Sequence, residues 1–147
     1  MGYRRVFIIR KDLHLSPGKL AAMCSHCSEA YWTRMIRNNI VGEVLDKNVY
    51  RTECIDIDKG IFEGYINGSF VKTICQAKNR NQLLKAKTIA SELGLVEGTD
   101  FGEINDCCLT ELAPENEDGT TLVGIWFKPL PDEVAHKISK KYHLYMD

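Results

Sequence analysis

A lysine at the start of a helix, a carboxylate at the end of a strand and hydroxyls close behind it are the residues of this 147-residue chain best placed for chemistry. Lys19 follows Ser16-Pro17-Gly18, where Pro17 suits a first helical turn and Ser16 can cap its free amides. Gly18 lets a ligand or a second backbone approach closely. Helix starts usually carry acids, so a cation there points to a site for negative charge. Asp106 closes an apolar segment, and Thr110 follows four residues later, ahead of Ala113-Pro114. Thr120-Thr121 head the next apolar run and can return beside Thr110 if the two segments pair. The plainer reading, in which Asp106 caps a turn and Thr110 caps or packs, stays open on spacing alone.

Gly18-Lys19 is not a nucleotide-binding phosphate loop: Leu13 stands where that motif needs its first glycine, and Leu20 replaces its Ser or Thr. Cys24-Ser25-His26-Cys27 with Cys107-Cys108 is weak support for zinc. Adjacent cysteines rarely share one metal, and the first pair falls inside a helix, so small buried thiols are the preferred account. A redox pair would open the helix instead. His26 reads as a packed helix histidine, and His14, His136 and His143 form no Ser-His-Asp or Cys-His pattern.

The elements that must position these residues follow from periodicity. Tyr3 to Arg10 reads as a buried strand, Lys11 to Leu15 as a loop, and Pro17 to Asn38 as a long helix with apolar steps of three and four. A short helix is expected over Val41 to Leu45. Residues 49–68 are the least legible: a short helix from Asp58 to Ile66 is favoured despite Gly60 and Gly64, with Asn67-Gly68 as an alternative hairpin turn. Then come a strand at Phe70 to Cys75, an Asn79-capped helix from Arg80 to Leu93 closed by Gly94, and strands at Phe101 to Asp106 and Thr120 to Phe127. A helix from Pro131-Asp132 to about Lys141 precedes the tail Tyr142 to Asp147. This order predicts one α/β domain over residues 1–147. Its fold is a three-layer α/β/α arrangement around a mixed, four-stranded sheet with helices on both faces. Ligands in such sheets gather where strands end and helices begin, the zone of Lys19, Asp106 and Thr110.

Composition, 44% apolar and 27% charged, fits a globular chain. No apolar run reaches a membrane span, and the apolar patch after the basic start is too short for a signal peptide. Six cysteines without a secretion signal read as reduced thiols in the cytoplasm. The net charge of −1 hides an asymmetry: residues 1–51 carry a balance of +5, and residues 52–147 a balance of −6. The positive part (Arg4, Arg5, Arg10, Lys11, Lys19, Arg34, Arg37, Lys47, Arg51) can offer a basic face for phosphates, although a solvated mixed surface is the commoner meaning of such a count.

Together these segments resemble the type-2 peptidyl-tRNA hydrolases, the archaeal and eukaryotic kind. That family joins an apolar strand to a loop ending in Gly-Lys and a helix reading roughly Ala-Ala-Gln-Cys-Ser-His-Ala, matched by Gly18 to Cys27. Its Asp-Ala-Gly-x-Thr and x-Ile-Ala-Pro signature is matched by Asp106 to Pro114, and its threonine-led Val-Leu-Gly-Ile strand by Thr121 to Ile125. The resemblance implies hydrolysis of the ester between a peptide, or an N-blocked aminoacyl group, and the 3′ end of tRNA, with no metal or organic cofactor. It places Lys19, Asp106, Thr110 and Thr121 as catalytic residues and Gly18, His26, Lys11, Arg34 and Arg37 as substrate-binding ones. It implies a cytoplasmic homodimer acting on tRNA. Three departures stand out: Cys107-Cys108 replaces a small Ala-Gly pair, residues 49–68 are long, and Glu115 to Gly119 lengthens the last hairpin with acids. The competing classes are a non-catalytic member of the same fold binding RNA or a protein, and a hydrolase of another acyl or nucleotide substrate.

Overall fold

The computed structural model describes residues 2–44 and 46–146. Strand β1 (Tyr3–Arg10) lies in the middle of the sheet, parallel to one neighbour and antiparallel to another. Both faces of such a strand are covered, which is why its sequence is a continuous apolar run rather than an alternation. Val6 and Ile8 pack into one core, and Phe7 and Ile9 into a second on the opposite face.

Helix α1 (Pro17–Asn38) covers the Phe7 and Ile9 face through Met23, Cys27 and Tyr31. The Ser16 hydroxyl accepts the amide of Lys19 and caps it as expected. The predicted helix over Val41 to Leu45 is instead a strand, β2 (Ile40–Glu43), paired with β3 (Tyr50–Thr52); Leu45 lies outside the described residues. The β-branched pair Ile40-Val41 suits a strand, and Gly42 takes a left-handed φ of 134° at a bulge in the pairing.

Helix α2 (Lys59–Ile61), capped by Asp58, continues into a π-helical segment, Phe62–Ser69. The favoured helix is therefore present and reaches Asn67; Gly68 breaks it with a non-helical φ of −118° and ψ of −120°, and Asn67-Gly68 is not a hairpin turn between paired strands. Gly60 and Gly64, the residues that obscured it, lie against Tyr3, and a Cβ on either would collide with that ring. Tight packing on β1 outweighs the helix-weakening effect of glycine.

Strand β4 (Val71–Ala77) runs two residues past the expected end at Cys75 and pairs parallel to β1. The Asn79 side chain caps α3 (Arg80–Glu92). Strands β5 (Phe101–Asp106) and β6 (Thr121–Phe127) pair antiparallel, and β6 sits beside β1. Two-residue strands β7 (Leu130–Pro131) and β8 (His143–Leu144) flank α4 (Asp132–Ser139), which stops short of Lys141. Asp147, at the end of the expected tail, is outside the described residues.

The principal path of the sheet is β5-β6-β1-β4-β8, with β7 joined to β1. Its four long strands are those expected, and the two short ones raise the total to six. Helices α3 and α4 pack on the Val6 and Ile8 face, opposite α1. The sheet is mixed with helices on both faces, and β5 is an edge strand.

Candidate active site

Two buried arginines from β1 set the frame. Arg5 has no exposed surface and donates to three carbonyls, Phe127 (2.6 Å), Cys27 (3.0 Å) and Ser28 (3.1 Å). It thereby ties the sheet to the middle of α1. Arg10 at the end of β1 donates two hydrogen bonds each to Asp12 and Glu115, and one to the Leu122 carbonyl. Glu115 belongs to the loop between β5 and β6, so Arg10 anchors that loop to the sheet. Neither residue contributes to a basic face.

At the other end of that loop, Lys19 Nζ donates to Asp106 Oδ1 at 2.8 Å and to Thr110 Oγ1 at 3.1 Å. The loop after β1 and the helix start place Lys19, the last residue of β5 places Asp106, and the turn after β5 places Thr110. Asp106 is 6% exposed, and its second oxygen accepts the Cys108 amide at 3.0 Å. Burial pushes the Asp106 carboxyl up, but the Lys19 and Cys108 hydrogen bonds and the nearby charges of Lys19 and His26 outweigh it, leaving its pKa below the ordinary value. The bond to Asp106 likewise raises Lys19 above the usual lysine value.

Thr121 faces Asp106 across the β5–β6 ladder, yet it has no exposed surface. Its hydroxyl donates to the Ala113 carbonyl at 2.7 Å and accepts the Glu115 amide at 3.0 Å. It therefore supports the loop rather than lining the site. Thr120 bonds to Asp118 and Asn116 and does not come back to Thr110.

Cys108, where the resembled family has glycine, adopts φ 61°. The left-handed geometry that glycine would supply is kept at the cost of side-chain strain. The Cys108 sulfur lies 3.4 Å from the Thr121 hydroxyl. Glu111, next to Thr110, accepts the Ser16 amide at 3.0 Å and the Ser16 hydroxyl at 2.6 Å. Those bonds hold its carboxyl below the usual range. The sequence contains no local signal for this contact, because 95 residues separate the partners.

The remaining candidates divide. Gly18 is exposed with open space beside its Cα. His26 is exposed, not packed, because the packed residue of that turn is Cys27. Lys11 is engaged by the C-terminal segment: its ammonium donates to the Met146 carbonyl and sits 4.5 Å from the Tyr145 ring centroid. Arg34 and Arg37 line a cleft farther along α1. All six cysteines are free thiols. Burial drives the Cys27 thiol up, and no group of three His, Cys, Asp or Glu among the described residues is arranged to hold a metal ion.

With this geometry in place, similarity to known proteins covers nearly the whole chain. The family model described as Peptidyl-tRNA hydrolase PTH2 matches residues 3–145. The peptidyl-tRNA hydrolase of Thermococcus sibiricus is 27% identical over 137 residues, 93% of this chain and 92% of that protein. The peptidyl-tRNA hydrolase of Thermococcus onnurineus is 26% identical over the same length and coverage. The mitochondrial peptidyl-tRNA hydrolase 2 of Bos taurus is 26% identical over 143 residues, 97% of this chain and 64% of that protein.

Proposed function

Because the chain belongs to the Peptidyl-tRNA hydrolase PTH2 family, we propose that it hydrolyses the ester joining a peptide to the 3′ end of tRNA, with Lys19, Asp106 and Thr110 as the reacting cluster. The observation that carries this reading is the junction of an ammonium, a carboxylate and a hydroxyl within 3.1 Å of one nitrogen, at a helix N-terminus.

The electrostatics select the roles. An ammonium whose pKa is raised stays protonated at neutral pH, so Lys19 serves as a hydrogen-bond donor and not as an amine nucleophile. Two of its three N–H groups go to Asp106 and Thr110, and the third is available for the oxyanion that forms as the ester carbonyl is attacked. Thr110 accepts from Lys19, which leaves its own O–H free to donate to substrate. Asp106 stays ionised and keeps lone pairs free beyond the two bonds it accepts. Such a carboxylate aligns the attacking water well. Its lowered pKa makes it a weak proton acceptor, so orientation is the larger part of its contribution. Thr121 acts at one remove, by holding the loop.

The replacement of Ala-Gly by Cys107-Cys108 leaves this cluster assembled, which favours catalysis over a purely binding role. Within the same reading the protein works in the cytoplasm as a homodimer. Six free thiols support the location. The exposed apolar residues of the β2–β3 hairpin, Ile40, Val41, Val49 and Tyr50, support self-association. No described helix is long and apolar enough to cross a membrane. Release of the acyl group from an N-acetylaminoacyl-tRNA tests the activity, and sedimentation of the purified chain tests the dimer.

A further inference from the structure

The turn after β5 carries two adjacent thiols that ester hydrolysis does not use. Cys107 is exposed, Cys108 is half-buried, and both are free. The Cys108 sulfur lies against the interior, 3.4 Å from the Thr121 hydroxyl and 3.5 Å from the Asp106 carbonyl oxygen. Cys107 lies beside the reacting cluster: the raised Lys19 value, owed first to the Asp106 hydrogen bond, also includes a smaller attraction from this thiol. An exposed thiol next to an ammonium is where thiol–disulfide exchange starts. The other cysteines are placed differently. Cys27 and Cys75 are buried, and burial pushes both thiols up. Cys24 is part-buried, and exposed Cys54 has no cysteine next to it in the chain.

The peptide unit between the two cysteines connects them to Asp106. Its N–H is that of Cys108, which holds Asp106 Oδ2 at 3.0 Å. A disulfide between adjacent residues closes a small ring that contains this same peptide unit. Cα atoms across one trans peptide stand about 3.8 Å apart, against about 4.4–6.8 Å in ordinary disulfides. Ring closure therefore strains and turns the peptide unit, and the Cys108 sulfur has to leave Thr121 to reach Cys107. The turn has room to yield, because the next residue, Leu109, is 84% exposed. Strained disulfides are the readily reduced ones, which suits a reversible modification.

We infer that Cys107 and Cys108 are a reversible oxidation site, at which a low-molecular-weight disulfide joins the two thiols, draws the Cys108 amide off Asp106 and switches the reacting cluster off. The inference rests on the reading of that cluster as an ester-hydrolysing centre. The Cys107 thiolate attacks one sulfur of the small disulfide RSSR, forming Cys107–S–SR and expelling RS⁻. The Cys108 thiolate then attacks the Cys107 sulfur and expels the second RS⁻. The two cysteine protons end on the two leaving thiolates, so both cysteines are oxidised as RSSR is reduced to two RSH.

The test treats the purified chain with oxidised glutathione and follows intact mass, acyl release from N-acetylaminoacyl-tRNA, and the titration of the Asp106 carboxyl by NMR. The mass falls by two hydrogens, and a digest holds the Cys107–Cys108 bond. The rate drops roughly tenfold or more, the size of one lost hydrogen bond to a charged group. Asp106 titrates at higher pH than in the reduced protein, because a bond to its charged form is gone. Dithiothreitol reverses all three changes. Cys107→Ser keeps its rate and its Asp106 titration under the same treatment, whereas Cys54→Ser responds as the wild type does. An unchanged mass, inactivation that persists in Cys107→Ser, or a disulfide that leaves the Asp106 titration where it was overturns the switch. If the reduced wild type releases no acyl group while oxidation still forms the bond and raises the Asp106 titration, the switch stands and the reading of the cluster as a hydrolytic centre falls.

Discussion

The Ser16 hydroxyl donates to Glu111 Oε1 at 2.6 Å while its oxygen accepts the amide of Lys19 at 3.3 Å. One serine thereby joins the loop after β5 to the start of α1. Lys19 is held at its backbone through Ser16 and at its ammonium through Asp106 and Thr110. The adjacent residues Thr110 and Glu111 close the ring, so the spacing between ammonium and hydroxyl is set from both sides.

Breaking that ring at Glu111 lowers kcat more than it raises KM. Glu111→Ala is expected to lose several-fold in kcat, and Glu111→Gln to recover most of it, because an amide oxygen still accepts the Ser16 hydroxyl. Ser16→Ala removes an N-cap as well and costs about 1 kcal/mol in a denaturation curve. Equal rates for Glu111→Ala and wild type would remove the positioning role.

Asp106 and Lys19 also fix the pH dependence. The Asp106 pKa is lowered, so the stability its carboxylate contributes is fully present above the ordinary aspartate value and lost as pH falls through the lowered one. The Lys19 pKa is raised, so its contribution is present below the ordinary lysine value and lost as pH rises through the raised one. For this pair kcat/KM is therefore flat from about pH 5 to pH 9. A limb between pH 6 and 8 that moves in Lys19→Arg would contradict the assignment.

Arg10 tests how far the loop depends on the sheet. Its side chain is 4% exposed and meets two half-exposed carboxylates. Arg10→Met strands Asp12 and Glu115 beside an apolar group, at a cost of about 3 kcal/mol, the low end for a broken buried pair because both acids still reach water. Thermal unfolding should show that loss. Glu115→Gln, which keeps an acceptor, should lose much less.

Cys108 carries a strain that glycine relieves. Left-handed backbone costs a non-glycine residue about 1–2 kcal/mol, against about 0.5–1 kcal/mol of added unfolded-state freedom for glycine. Cys108→Gly is thus expected to raise stability slightly and to keep activity. Cys108→Val, with a branched side chain in the same conformation, should lower both.

Much of this architecture is legible in the chain. The bounds of β1, α1 and β5 follow directly from periodicity and caps, and both Lys19 and Asp106 stand out because of where those elements end. What stays hidden depends on contacts between distant residues. Gly60 and Gly64 make sense only once Tyr3 is seen against them. The β2–β3 hairpin replaces an expected helix because Ile40-Val41 finds a partner in Tyr50–Thr52. Thr121 looks like a site hydroxyl by sequence, yet its register in β6 turns it inward to the loop backbone. Arg5 and Arg10 count as surface charge in any composition and prove to be interior fastenings. Spacing cannot reveal Glu111 on Ser16, since the two meet only after the sheet is built.

The most direct measurement is acyl release from N-acetylaminoacyl-tRNA by the wild type, Lys19→Ala and Asp106→Asn, with the unfolding midpoint of each. The expected result is release by the wild type and none above background by either variant. Asp106 is buried and the Lys19 side chain only 13% exposed, so each variant breaks a shielded pair and is expected to lose about 1–3 kcal/mol while remaining folded in the assay. Full release by either variant, or its loss only together with the fold, would contradict the assignment of Lys19 and Asp106 as the ester-hydrolysing pair.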